Sequence, residues 1–509
     1  MAAGEPAQPS SPRRINRRQV VGGALAAGSV AVAYAALGDK LNLFSSDAVV
    51  DPAFDAAALK QEPVRINHLL RRAGFGASSS EHEHYQALGL EGTLQELLDW
   101  NAVDDSTAVG LADAALAASE RPSPALWWLV RMANTRRPLQ EKMTLFWHGL
   151  LTSQLSVVRS TSAMLAQNEF FRASAFDAFP AILRGISMDP AMMIYLDMSG
   201  SLRRAPNENY ARELMELFAL GEGNYSEDDV REAARAFTGW NVPRTRLEQN
   251  NFQLETPVFR PQQFDDGVKT FLGHSGNFMP DDIVQIVSEQ PAAAIYITRR
   301  LYAFFIHPNP SETDIAPFVR AYNENGQRIG AVVEAMLRSD VFYSPRAYRS
   351  LVKSPIEYAV GAVKAIGAQE LIGRYSAAER GGGGVLGAMG QVPFEPPNVA
   401  GWPGGASWLN SATLFARLNF INSLTGGATP GQQPRERQAA PALPPLAGDL
   451  GTTAQALAHY LPLVLDDNIP PDARRVLIDY AGGEDVSLGE QKLRGLVYLM
   501  LASPQFHLS

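Results

Sequence analysis

PNENYARELMELFALGEGNYSEDDVREAARAFTGW, residues Pro206 to Trp240, reads as two helices joined by a glycine-bearing turn. Between Asn209 and Leu220 the residues Tyr210, Ala211, Leu214, Leu217 and Phe218 recur at spacings of three and four, the period of a helix with one buried stripe. Beyond Gly221 and Gly223, Ser226 with Asp229 three residues on resembles a capping box, and Val230, Ala233, Ala234 and Phe237 form the seam of the second helix.

The same period dominates outward in both directions. It runs through Leu69 to Ala73, Leu94 to Trp100, Leu126 to Met132, Leu139 to Thr152 and Ala163 to Arg172, then through Ala292 to Phe305, Gly330 to Ser339, Ile356 to Ile366 and Ala412 to Leu424. Asp189 before Pro190 marks another helix start. Strand patterns are scarce and clearest between Asn251 and Leu272, where FQLETPVF and VKTFLG flank a polar connection and are expected to pair as a β-hairpin. The expected fold is therefore mainly α, a multi-helix orthogonal bundle with a small β-hairpin excursion near residues 251–272. Residues 61–509 are expected to form one helical domain after a linker at 39–60. Two stretches break the pattern: the four glycines Gly381 to Gly384, and a Pro/Gly-rich loop at 425–448. The segment after that loop is too short to bury a core alone and should pack back on the main body.

Residues 1–38 read as a leader. Arg13, Arg14, Arg17 and Arg18 precede Gln19 and two valines, and no charge follows until Asp39, the pattern read by the twin-arginine translocase. The expected location is periplasmic or extracellular. The leader is either cleaved after Ala35 or kept as a single anchor, so any membrane contact would run through an uncleaved leader. The formal charge is −9, and loss of 1–35 removes four arginines and one glutamate to leave −12. Such a surface repels phosphate backbones and argues against nucleic acid. Zero cysteines remove disulfides, thiolate metal sites and a cysteine nucleophile.

Candidate chemistry centres on the opening block. At about 100° per residue, Asn209, Arg212, Glu213 and Glu216 share one face, opposite the apolar stripe. Glu213 and Glu216, three apart, can aim both carboxylates at one point, which suits a divalent metal or an acid/base pair, with Arg212 to balance them. The alternative is a solvated face laced by Glu208 and Arg212 at i,i+4. His148 lies nearly opposite the seam of Met143, Phe146, Trp147 and Leu150, stacked with Glu141, Thr144 and Thr152. It is a third candidate ligand or acid if another layer folds over that face, and merely exposed otherwise; His68 has a similar claim. Glu81 and His84 form a single Glu-x-x-His pair where a di-iron bundle needs two, and read as an exposed helix start. Met188, Met192, Met193 and Met198 read as core, and Trp402 and Trp408 as a buried plug or an aromatic platform.

Seven ordered blocks make the chain resemble one bacterial family. They are HLLRRAGFGAS (His68 to Ser78), QEKMTLFWHGLLTSQ (Gln140 to Gln154), the opening block, DDGVKTFLG (Asp265 to Gly273), QPAAAIYITRRLYAFF (Gln290 to Phe305), LVKSPIEY (Leu351 to Tyr358) and PPNVAGWPGGASWLN (Pro396 to Asn410). The chain is identified by them as similar to domain of unknown function 1800. That resemblance implies an exported helical protein and, as a partner, a co-exported protein of the domain of unknown function 1501 family; it implies no reaction. One departure is Phe264 before Asp265, where many relatives carry histidine. Two functions are expected from these residues: a metal-assisted hydrolase-like enzyme using Glu213, Glu216, His148 and Arg212, or a noncatalytic binding or scaffold partner.

Overall fold

Apolar residues at helical spacing, many of the runs opened by a side-chain cap, dictate the architecture. Asp189 accepts from the Met192 amide at 2.8 Å with Pro190 in the first turn, and Ser226 with Asp229 closes a complete capping box. The computed structural model describes residues 54–118, 123–247, 251–373, 384–426 and 451–509. The leader, the glycines Gly381 to Gly383 and most of the Pro/Gly-rich loop lie outside the described residues.

The protein is mainly α, with short antiparallel strand pairs. The β excursion falls where alternation placed it, but its pairings differ. FQLETPVF does not pair with VKTFLG. Phe252–Leu254 pairs with Arg244–Arg246, Val258–Phe259 with Trp240–Asn241, and Lys269–Phe271 turns back on His274–Gly276. The physical reason is proximity along the chain: the residues just after Trp240 reach 252–259 through a short connection, and a tight turn at Leu272–Gly273 closes the other pair on itself.

At the centre runs the helix Pro138–Leu150, in which every residue except Gly149 is buried. It packs against the helices Thr161–Ala173 and Ser79–Leu98. The helix Pro355–Ala365 is nearly as deep and gathers Pro124–Asn134, Ser411–Leu424 and Thr453–Leu465 around it. Residues Ala53–Ser509 form one compact unit. Among the described residues no helix is long and apolar enough to cross a membrane.

Charge is buried throughout this core. Glu141, fully buried, receives Arg172 and Arg131 on one carboxylate oxygen and the Trp128 indole N–H on the other at 2.8 Å. Asp466, 3% exposed, holds Arg71, accepts from the Tyr348 hydroxyl at 2.6 Å and lies 3.6 Å from Arg349. Lys142 pairs with Glu357 and donates to the Gly74 carbonyl at 3.1 Å. Pairing holds the Glu141, Glu357 and Asp466 carboxyls below the usual range against the opposing pull of burial.

Candidate functional site

The charged helix begins at Asn209–Glu213 and continues over Leu214–Ala219 as a π-helix, closed by the Leu220 amide on the Met215 carbonyl at 2.9 Å. Such i→i+5 winding is rare in proteins and is enriched at functional sites. Each residue turns less than in an α-helix, so Leu214, Met215, Phe218 and Ala219 are buried while Leu217 is half-exposed. The Leu217 carbonyl freed from regular winding is taken by the Tyr296 hydroxyl.

Glu213 and Glu216 stay neighbours on this helix. Burial raises the Glu213 carboxyl above its ordinary value, and the Glu216 charge adds to that. Glu216 accepts the Tyr225 hydroxyl at 3.0 Å. Arg212 spends its hydrogen bonds elsewhere, on Glu227 at 2.7 and 2.8 Å and on Glu208 at 3.2 Å. The i,i+4 pair with Glu208 is the one the sequence shows; the bond to Glu227 closes the two helices of the block on each other.

The remaining charges of the block hold a hairpin in place. Asp229, besides its capping role, accepts the Leu272 amide at 2.7 Å, and Glu232 accepts the Thr270 amide at 3.0 Å. Arg235 bridges Glu232 and Asp265, and Lys269 donates to the carbonyls of Asp265 and Gly267. Phe264, at the position of the departure, is buried, with the Lys269 ammonium 4.8 Å from its ring centre. The acidic pattern of the second helix is thus a clip for the DDGVKTFLG segment.

His148 requires a correction. The wheel placed it away from the apolar seam, yet it is 1% exposed, because a second layer covers that face. Trp128, Phe394 and Trp402 surround its ring at 5.0, 5.1 and 5.6 Å, and its Nε2 accepts the Phe394 amide at 3.0 Å. That bond makes the neutral ring carry its proton on Nδ1. Burial drops its pKa to about 3. Gly401 lets the covering loop approach: φ is +77°, and a Cβ there would stand 2.4 Å from the Gly149 carbonyl oxygen. His68 is buried too, with Nε2 2.9 Å from the Phe342 carbonyl. Trp408 is buried and offers no platform, whereas Trp402 is half-exposed beside His148.

Among the described residues no three His, Asp or Glu side chains are placed to hold one metal ion, so Glu213, Glu216 and His148 do not meet as ligands. The charge of the block acts on Tyr195. Burial raises the half-buried Tyr195 phenol, and the charges of Glu213 and then Glu395 raise it further. Glu395, next to Phe394, accepts the Ser156 hydroxyl at 2.9 Å. A cavity of about 360 Å³ lies beside the block, bordered by Asp197, Ser199, Asn241 and Arg244. Sequence reading passed over Tyr195, Tyr225, Glu395 and Asp197; an isolated tyrosine or acid carries no spacing signal, and only the fold gathers them.

No curated protein and no solved structure matches the chain. The family model described as protein of unknown function, DUF1800, matches residues 68–508, and the chain belongs to that family.

Proposed function

We propose that this is an exported, noncatalytic binding or scaffold protein that works with a co-exported partner, a member of the domain of unknown function 1501 family being the first to test. The observation that carries this reading is the use made of the charged groups. Arg212 is tied to Glu208 and Glu227, while Asp229, Glu232, Arg235 and Asp265 are tied to one another or to backbone amides, and His148 is sealed under a loop. Side chains used in this way shape a surface rather than meet a substrate. The twin-arginine leader and the acidic balance support export and a protein partner. Cross-linking in the exported fraction, followed by mass spectrometry, is expected to recover one stoichiometric partner. Elemental analysis of chelator-free protein is expected to find less than about 0.1 metal per chain, against the near-unity content of a resident metal site. A monomer under gentle conditions with stoichiometric metal would sink the proposal.

A second reading rests on one observation, the raised carboxyl of half-buried Glu213 beside Glu216 on a π-helix. It makes Glu213 a proton donor and acceptor in an enzyme, with Glu216 and Tyr225 behind it. Carbon-13 titration should place Glu213 above about 4.3, the ordinary glutamate value, and Glu216→Gln should bring it down. A Glu213 that titrates normally and ignores Glu216→Gln removes this reading.

A further inference from the structure

Far along the chain from the block, the helix Ser79–Leu98 breaks at Gly89, whose φ of 69° and ψ of 178° are not helical. The break folds the helix back so that Glu96 reaches His84, with Nε2 at 2.9 and 3.0 Å from the two carboxylate oxygens. A cavity of about 350 Å³ opens there, bordered by this pair, by Tyr85, and by Asn134, Arg136 and Gln369 from two other elements. The size lies in the range of small-molecule sites.

The charges around the cavity restrict what fits. Glu81, on the wall, is neutralised by the buried Lys364 ammonium at 2.7 Å and by its capping bonds to Ser78. Glu96 is neutralised by His84 when that ring is protonated, and otherwise accepts its N–H. Arg136 differs: among the described residues its guanidinium has no hydrogen bond and no ion pair within 4.0 Å, although its charge reaches the Tyr85 phenol and the exposed Asp104 carboxylate. The Asn134 amide spends its N–H on the Val130 carbonyl at 2.8 Å, which leaves its oxygen to accept. The Gln369 side chain makes no hydrogen bond among the described residues. The wall therefore offers one cation without an ion-pair partner among the described residues, two amides, a paired carboxylate able to accept from hydroxyls, and the rings of His84 and Tyr85.

We propose that this cavity binds a small hydroxylated monocarboxylic acid, its carboxylate on Arg136 and its hydroxyls on Asn134, Gln369 and the Glu96–His84 pair. A dicarboxylate would bring a second charge for which the wall offers no second unpaired cation among the described residues, since Lys364 is already paired with Glu81. A neutral sugar would leave Arg136 unmatched, and charge-assisted bonds are about twice as strong as neutral ones. This site is independent of the partner surface, so either proposal can fail alone.

The test is calorimetric titration of the full chain with sodium D-gluconate, with D-glucose and succinate as probes of the two excluded classes. Gluconate is expected to bind at least about tenfold more tightly than either, and Arg136→Gln to weaken it by about tenfold or more with an unchanged melting temperature. Arg136 is exposed, so this variant should fold. Glu96→Gln should weaken gluconate as well, through the hydroxyl contacts. Absence of gluconate binding, equal binding of glucose, or indifference to Arg136→Gln would overturn the proposal.

Discussion

Glu141→Gln should lower the unfolding free energy by about 3 kcal/mol or more, read from the midpoint of the urea transition at neutral pH. The glutamine fills nearly the same volume and can still accept the Trp128 indole, so the substitution isolates the charge. What it removes is the carboxylate shared by Arg131 and Arg172, both themselves buried. Glu169, which also pairs with both arginines, is about half exposed and cannot take over the interior position. Two buried guanidiniums are then left with only the half-exposed Glu169 as counter-charge, in a medium where an underpaired ion costs several kcal/mol. The same carboxylate fixes the pH dependence. Its folded pKa lies below the unfolded value, so its contribution is complete above about pH 4.3 and disappears as pH falls through the lowered folded value. Glu141→Gln should therefore narrow its gap from the wild type in acid. A loss under about 1 kcal/mol, or a gap that ignores pH, would show that the arginines are satisfied without Glu141.

Asp466→Asn is the second large effect, about 3 kcal/mol by the same physics. Asp466 sits at φ +59° just past the helix Thr453–Leu465, a conformation asparagine accepts more readily than most residues, so the backbone is spared. Arg349 keeps its bonds to the Leu465 and Asn468 carbonyls, but Arg71 loses the negative charge of its one hydrogen-bonded partner among the described residues, with only a neutral amide oxygen left to accept from it. The damage should be regional. Hydrogen exchange is expected to accelerate first in Thr453–Leu465 and Glu62–Arg72, with Pro138–Leu150 unchanged. Uniform acceleration, or none, would refute the idea that Asp466 joins these two helices.

Particular residues show what could be read in advance. Caps at Asp189 and Ser226 and the long helical period are local, and they were legible because their partners lie within four residues. The partners of His148 were not: Phe394 is 246 residues away, and no wheel can tell a face meeting water from one meeting a distant loop. The common face of Glu213 and Glu216 rests on an even α-helical advance, whereas the helix winds as π over Leu214–Ala219 and its Leu217 carbonyl is met by Tyr296, 79 residues away. Glu96 escaped notice beside His84 because a straight helix would separate them by more than three turns, and only the break at Gly89 reunites them. The short β pairs had the same weakness: alternation identified strand residues but not their partners.

The bonds made by the helix Glu62–Arg72 have a consequence in time. Arg71 waits 395 residues for Asp466, and Arg72 waits 437 for the Ser509 carbonyl. At a synthesis rate of roughly 5–20 residues per second, these cations emerge tens of seconds before Asp466 and Ser509 exist, and Arg72 meets the Ile306 and Ala347 carbonyls in between. The helix Glu62–Arg72 can form early but cannot complete its bonds until Asp466 and Ser509 have been made, so its final docking waits on contacts far along the chain instead of following its own emergence.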